Sequence, residues 1–189
     1  MSPAGAAGPA GAHRRRPAAP AAPAAPGAVR VTIAGPGDLD AIIALEHRCF
    51  SVHDRFARAT WRRLLGRSAR AGTSITLVVR EGAAVVGTIN ALLRSTSAAA
   101  RIYSLAVDPA TQGRGLARRL FHALMQRLPR RIDAVTLEVR EANAAARALY
   151  HRLGMAPARQ LPGHYPDGGH GVRYRAARSV VLEAARARS

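Results

Sequence analysis

A chain of 189 residues with 48% hydrophobic content is long enough for one domain with a sizeable core. Its single cysteine, Cys49, excludes an internal disulfide, and no apolar run reaches the length of a bilayer span. The net charge of +18 rests on 29 basic residues, all arginine, scattered among the elements and not interleaved with aromatics as a stacking platform for nucleic acid requires.

These features predict a cytoplasmic protein of general basicity, with no membrane attachment and no dedicated nucleic-acid binding. Residues 1–28 are almost entirely Ala, Pro and Gly around Arg14, Arg15 and Arg16. Frequent proline blocks helix and sheet there, which predicts a disordered tail. It has no apolar central region of a secretory signal. One domain is expected over residues 29–182, with residues 183–189 as a short C-terminal tail.

Along the domain, Val29–Ile33 reads as a strand, and Asp38 as the N-cap of a helix with Leu39, Ile42, Ile43 and Leu45 on its apolar stripe. A loop from Cys49 to Ala59 leads to a helix at Thr60–Gly66 around Trp61, Leu64 and Leu65. Strands at Ile75–Arg80 and Val85–Leu93 flank a hairpin turn at Glu81–Ala84. A strand at Arg101–Val107, a helix at Gly115–Leu128, a strand at Ala134–Val139 and a helix at Ala144–Leu153 follow. Two further strands are predicted, at Ala158–Leu161 and Val172–Val180. The alternation predicts an α/β domain: a central, mainly antiparallel mixed sheet with helices on both faces.

The most informative segment is the junction after the strand that ends in Leu105-Ala106-Val107. Asp108-Pro109 stops the ladder, and Gln112-Gly113-Arg114-Gly115-Leu116-Ala117 opens the next helix. Two glycines let backbone approach a ligand closely, and the free N–H groups of a helix start bind anions. The run is not a P-loop, because Gly-Lys-Ser/Thr is absent. It is not a dinucleotide fingerprint either, because Arg118 occupies the third glycine position. Read without a ligand, the glycines serve as caps in an ordinary strand–turn–helix junction.

A second segment is Val135-Thr-Leu-Glu-Val-Arg-Glu-Ala-Asn143-Ala-Ala-Ala-Arg-Ala-Leu149-Tyr150-His-Arg-Leu-Gly154-Met155. It alternates as a strand, is capped by Asn143, and continues at helical spacing until Gly154 supplies a left-handed stop. With the Gln112–Ala117 loop, this segment resembles the GNAT superfamily of acetyl-CoA-dependent N-acetyltransferases. Within it, the pattern is most similar to the RimI-like ribosomal-protein-alanine N-acetyltransferases. Ala142 stands where those enzymes carry a polar residue, and Met155 where they carry an aromatic.

The resemblance implies an acetyl-CoA cosubstrate and no metal. Leu105, Ala106 and Val107 would pair with the pantetheine arm. Gln112, Gly113, Arg114, Gly115, Leu116 and Ala117 would hold the pyrophosphate, and Asn143 would lie near the thiol end. It implies Glu138 as general base and Tyr150 as the acid that protonates the departing thiolate. From the residues alone, Glu138 also reads as a strand carboxylate paired with Arg140, Tyr150 as a core aromatic, and Asn143 as a helix cap. The acceptor would enter between the Cys49–Phe56 loop, with Phe50, and the stretch Gly163–Gly168, where Tyr165 is retained and His164 replaces a tyrosine.

The acceptor implied is the N-terminal α-amine of a protein or peptide. A small amine handled by the same fold and a non-catalytic CoA-binding module remain the alternatives. A basic surface is also compatible with ribosome association.

Overall fold

The computed structural model describes residues 29–186, so the expectation for residues 1–28 falls outside the described part. Seven strands form one sheet: β1 (Val29–Ile33), β2 (Ser74–Glu81), β3 (Ala84–Leu92), β4 (Ala99–Val107), β5 (Ala134–Arg140), β6 (Ala156–Leu161) and β7 (Gly171–Ala177). Their order is β1-β2-β3-β4-β5-β7-β6. Among these pairings only β4 with β5 is parallel.

Helices cover both faces. On one, α1 (Leu39–Cys49) and α2 (Arg58–Arg63), the latter continued by a π-helical turn at Leu64–Ser68, bury Ile42, Leu45, Trp61 and Leu64 against Val78, Val85 and Ala106. On the other lie α3 (Leu116–Arg127), α4 (Ala144–Arg152) and α5 (Arg178–Arg186). There Leu120, Phe121, Leu124, Tyr150 and Val181 pack on Leu77, Val79, Ile89 and Val135. Each fully buried large apolar side chain contributes about 1.5–3 kcal/mol relative to exposure. No described helix is long and apolar enough to cross a membrane.

One element differs in kind from expectation. The strand predicted to run to Val180 ends at Ala177, and α5 follows. Val180-Val181-Leu182 has strand-like composition, yet Val181 and Ala185 stand one helical turn apart and are both buried. Packing on α3 overrides the β-propensity of the two valines. The helix continues through Arg186, so residues 183–186 belong to it rather than to a tail. Asp38 also departs from its expected role. It precedes α1 but makes no side-chain cap; its carboxylate accepts from Gly35 N (2.9 Å) and pairs with Arg80.

The feature that positions the site is a bulge in β4. Asn90 pairs with Ser104 but Ala91 pairs with Ile102, so Tyr103 is the extra residue. An inserted residue flips the side-chain parity and bends the strand. Ala100 and Ile102 therefore face the α3 side, whereas Ser104 and Ala106 face the α1 side. The parallel pairing with β5 stops just before this bend, at Arg101↔Thr136.

Candidate active site

Beyond Arg101 the two central strands part, and the side of β4 turned toward β5 is left without a strand partner. A cavity of about 1040 Å³ occupies this opening. Residues 105–107, 112–118 and Asn143 line it, together with Leu149 and Leu153 of α4 and its C-cap and Ala184 of α5. A 3₁₀ turn at Pro109–Thr111, held by Ala110 N donating to Asp108 Oδ1 (3.0 Å), delivers the chain to the glycine loop. Gly113 and Gly115 have φ of +79° and +73°, a backbone that favours glycine, and Gly115 is the N-cap of α3. Among the described residues, the backbone amides of residues 113–117 donate to no other group. Open amides at a helix start, with space where a Gly113 Cβ would project, fit an anionic pyrophosphate.

The charges around the loop are partly engaged. Arg114 forms a two-point pair with Glu81 (2.9 and 3.0 Å), and the Arg114 guanidinium holds the Glu81 carboxyl below its ordinary range. Arg118 folds back over the loop, with Nη2 3.4 Å from where a Cβ on Gly115 would lie. Gln112 Nε2 reaches the Val107 carbonyl at 3.4 Å. The Cys49 thiol faces the same cleft and donates to Val107 O (3.4 Å); burial pushes its pKa up to about 11, which makes it a poor nucleophile.

A second cavity of about 450 Å³ adjoins the first, and Phe50, Leu105, Asn143 and Ala146 line both. Glu138, Tyr150, His164 and Tyr165 meet in its wall. Glu138 lies on β5 opposite Arg173 on β7, and its side chain is 8% exposed. Its Oε1 accepts from Arg173 Nη2 (2.6 Å) and Nε (3.1 Å). Its Oε2 accepts from Arg101 Nη2 (2.5 Å) and lies 3.0 Å from His164 Nε2. Burial raises the pKa of this carboxyl, but the Arg173 hydrogen bonds and the charges of Arg101 and Arg173 outweigh burial and hold it below the usual range.

Arg140, expected as a partner of Glu138, instead binds Asp54 (2.7 and 2.9 Å) and Asp167 (3.0 Å) and stacks 4.0 Å above the Tyr165 ring. Alternate residues of a strand share a face, but Arg173 and Arg101 on the flanking strands reach the carboxylate first. Tyr150 is buried, its ring 6.2 Å from Phe121 and 5.8 Å from Tyr174, and burial pushes its hydroxyl pKa well up. It therefore stays protonated at neutral pH and can donate. Asn143 caps α4 through Oδ1 and Ala146 N (3.0 Å) while facing both cavities.

Four contributors lie outside the sequence reading. Arg101 and Arg173 have no local signal, since strand pairing alone brings them to Glu138. Phe56 stacks on the bulged Tyr103 with ring centroids 4.4 Å apart, forming an aromatic wall. Glu46 is fully buried; it accepts from Phe56 N (2.9 Å) and Ser104 Oγ (3.2 Å), tying the loop after α1 to β4. Burial raises its pKa against those hydrogen bonds. Its signal was legible: Glu46 falls one turn after Ile42, on the apolar stripe of α1.

Comparison with known proteins follows the same lines. The sequence pattern of the Acetyltransferase (GNAT) family matches residues 39–155. An uncharacterized protein of Mycobacterium leprae is 33% identical over 138 residues, which are 71% of this chain and 36% of that protein. The [ribosomal protein bS18]-alanine N-acetyltransferase of Salmonella typhimurium is 44% identical over 73 residues, 38% of this chain and 49% of that enzyme. The chain thus spans about a third to a half of these curated relatives. The crystal structure of the ribosomal-protein-S18-alanine N-acetyltransferase of Escherichia coli superposes with a TM-score of 0.69 at 25% identity, over 79% of this chain and 94% of that one. With a matching family pattern across most of the domain, a parted central strand pair and an open-amide glycine loop, the chain belongs to the acetyltransferase (GNAT) family.

Proposed function

We propose that this protein transfers an acetyl group from acetyl-CoA to a primary amine by direct attack, and that the acceptor is the N-terminal α-amine of a protein or peptide. The observation that carries the reading is the shared wall of the two cavities, built by Phe50, Leu105, Asn143 and Ala146. A thioester lying along the open side of β4 would meet there a nitrogen entering from the smaller cavity. Acetyl-CoA supplies an acetyl group already activated as a thioester.

The chain's own residues do the rest. Amides of residues 113–117 bind the pyrophosphate, with Gln112 bracing the loop. Backbone groups of Leu105, Ala106 and Val107 pair with the pantetheine arm, and an N–H near Val107 polarises the thioester carbonyl. Asn143 presents its free side-chain N–H₂ at the thiol end. Phe50 and Tyr165 confine the acceptor. Glu138 supports removal of the amine proton, and Tyr150 returns a proton to the departing sulfur. An α-amine, with a pKa of about 8, is easier to neutralise than a lysine side chain near about 10.4. The similarity to bS18-alanine N-acetyltransferases supports the α-amine.

The decisive screen measures thiol release from acetyl-CoA against N-terminal peptides, peptides whose only amine is a lysine, and small amines. The reading expects turnover with free N-termini. Preference for small amines would reassign the acceptor, and no thiol release with any amine would leave a binding module. The positive charge adds a hypothesis of electrostatic attraction to ribosomes. Cosedimentation unchanged between low and high salt would argue against it.

A further inference from the structure

His164 stands on the connection between β6 and β7, in the wall of the smaller cavity. Its Nε2 is 3.0 Å from Glu138 Oε2. A carboxylate held ionised only accepts, so Nε2 carries the proton and Nδ1 carries the free lone pair of the neutral ring. The Cδ2 edge is turned to the β7 backbone, 3.4 Å from where a Cβ on Gly171 would lie. Nδ1 lies on the opposite edge of the five-membered ring. The side chain is 36% exposed, and among the described residues Nδ1 has no hydrogen-bonding partner.

Glu138 is differently placed. It already takes two N–H groups from Arg173, one from Arg101 and one from His164, and a carboxylate offers about four lone-pair sites. An amine reaching it directly must displace one of these donors. The ionisable groups facing the imidazole are Glu138 from β5, Arg101 from β4, Arg173 from β7 and Tyr165 beside it. Arg140 lies beyond Tyr165, neutralised by Asp54 and Asp167.

We propose that His164 Nδ1 is the atom that takes the proton from the acceptor amine, and that Glu138 fixes the ring's tautomer and balances the imidazolium that forms. The inference rests on the acetyl-transfer reading above and deepens it. The ammonium of the acceptor gives one proton to Nδ1, and the freed lone pair forms the nitrogen–carbon bond to the thioester carbonyl. The carbon–sulfur bond breaks, and the sulfur receives its proton from Tyr150. The second proton lost by the nitrogen restores Tyr150, and His164 releases its own to solvent. The products are an amide, a free thiol and one proton. The carboxylate acts through the imidazole, as an orienting acid group does in other carboxylate–histidine pairs.

Two measurements on the full chain test this. A long-range ¹⁵N–¹H correlation spectrum, assigned by the signal lost in His164→Gln, should show neutral His164 with its proton on Nε2; a proton on Nδ1 would overturn the proposal. In kinetics, His164→Gln should lower kcat/KM for the peptide amine about 100-fold at pH 7, with acetyl-CoA affinity by calorimetry unchanged. The deficit should shrink as pH rises past the amine's own pKa of about 8. A wild-type kcat/KM and pH profile in His164→Gln, with the wild-type protein active, would overturn the role of His164 alone. A wild-type protein that acetylates no amine would overturn the transfer reading itself.

Discussion

The 1040 Å³ cleft presents a ligand mainly with backbone, whereas the 450 Å³ cavity beside it presents charged and aromatic side chains. The cleft is made by one strand edge, one glycine loop and the start of one helix, all within residues 105–118, with α4 as the opposite wall. The smaller cavity draws on the loop after α1, on β4, β5 and α4, and on the β6–β7 connection. Under the proposed function the difference matches two tasks. Fixed dipoles suit a cosubstrate that is always the same, and a side-chain cavity suits an acceptor that selection can change without disturbing the cleft.

Four substitutions can break or sharpen this division. The largest effect is expected from Tyr150→Phe, which should cut kcat by about 100-fold while leaving the acetyl-CoA dissociation constant measured by calorimetry in place. A parallel loss of affinity would show that the tyrosine belongs to the cleft instead. Gly154→Ala comes next. Gly154 has φ +73°, and a Cβ there would lie 2.5 Å from Val180 Cγ1 on α5, so the Val180 side chain or the end of α4 must shift in addition to the backbone strain. Unfolding should become easier by about 2–4 kcal/mol in denaturant titrations. Adding Val180→Ala should recover the steric part and not the backbone part.

Glu138→Gln tests the smaller cavity through pH. The folded-state pKa of Glu138 is lowered, so its stabilisation is complete above the ordinary glutamate value of about 4.3 and fades as pH falls through the lower folded value. The Tm of Glu138→Gln should trail wild type at neutral pH, with the gap closing in acid. A gap independent of pH would mean that Arg101 and Arg173 beside the carboxylate do not set its ionisation. The smallest effect is expected from Arg114→Gln. Its guanidinium is shared with Glu81, and the proposed contacts of the loop are its amides, so acetyl-CoA affinity should fall by no more than about fivefold. A collapse of affinity would make the cleft a side-chain site after all.

The same division explains what could be read before the structure. The glycine loop, the strand before it and the Asn143 cap are local, and local periodicity and turn chemistry specify them. The outer helix α5 is not legible locally, because Val180-Val181-Leu182 favours a strand until α3 gives Val181 and Ala185 a surface to bury against. The environment of Glu138 was hidden because Arg101 and Arg173 lie 37 and 35 positions away in sequence and meet it only through strand register. The bulge at Tyr103 was hidden for the same reason. It is a mismatch of two strands, and neither strand shows it alone.

The central claim, that the opening between β4 and β5 is an acetyl-CoA site, is tested most directly by titrating the purified full chain with acetyl-CoA in a calorimeter. The account predicts saturable one-to-one binding, weakened by Gly115→Val at the loop and unaffected by His164→Gln in the neighbouring cavity. A folded protein that takes up no acetyl-CoA would contradict it.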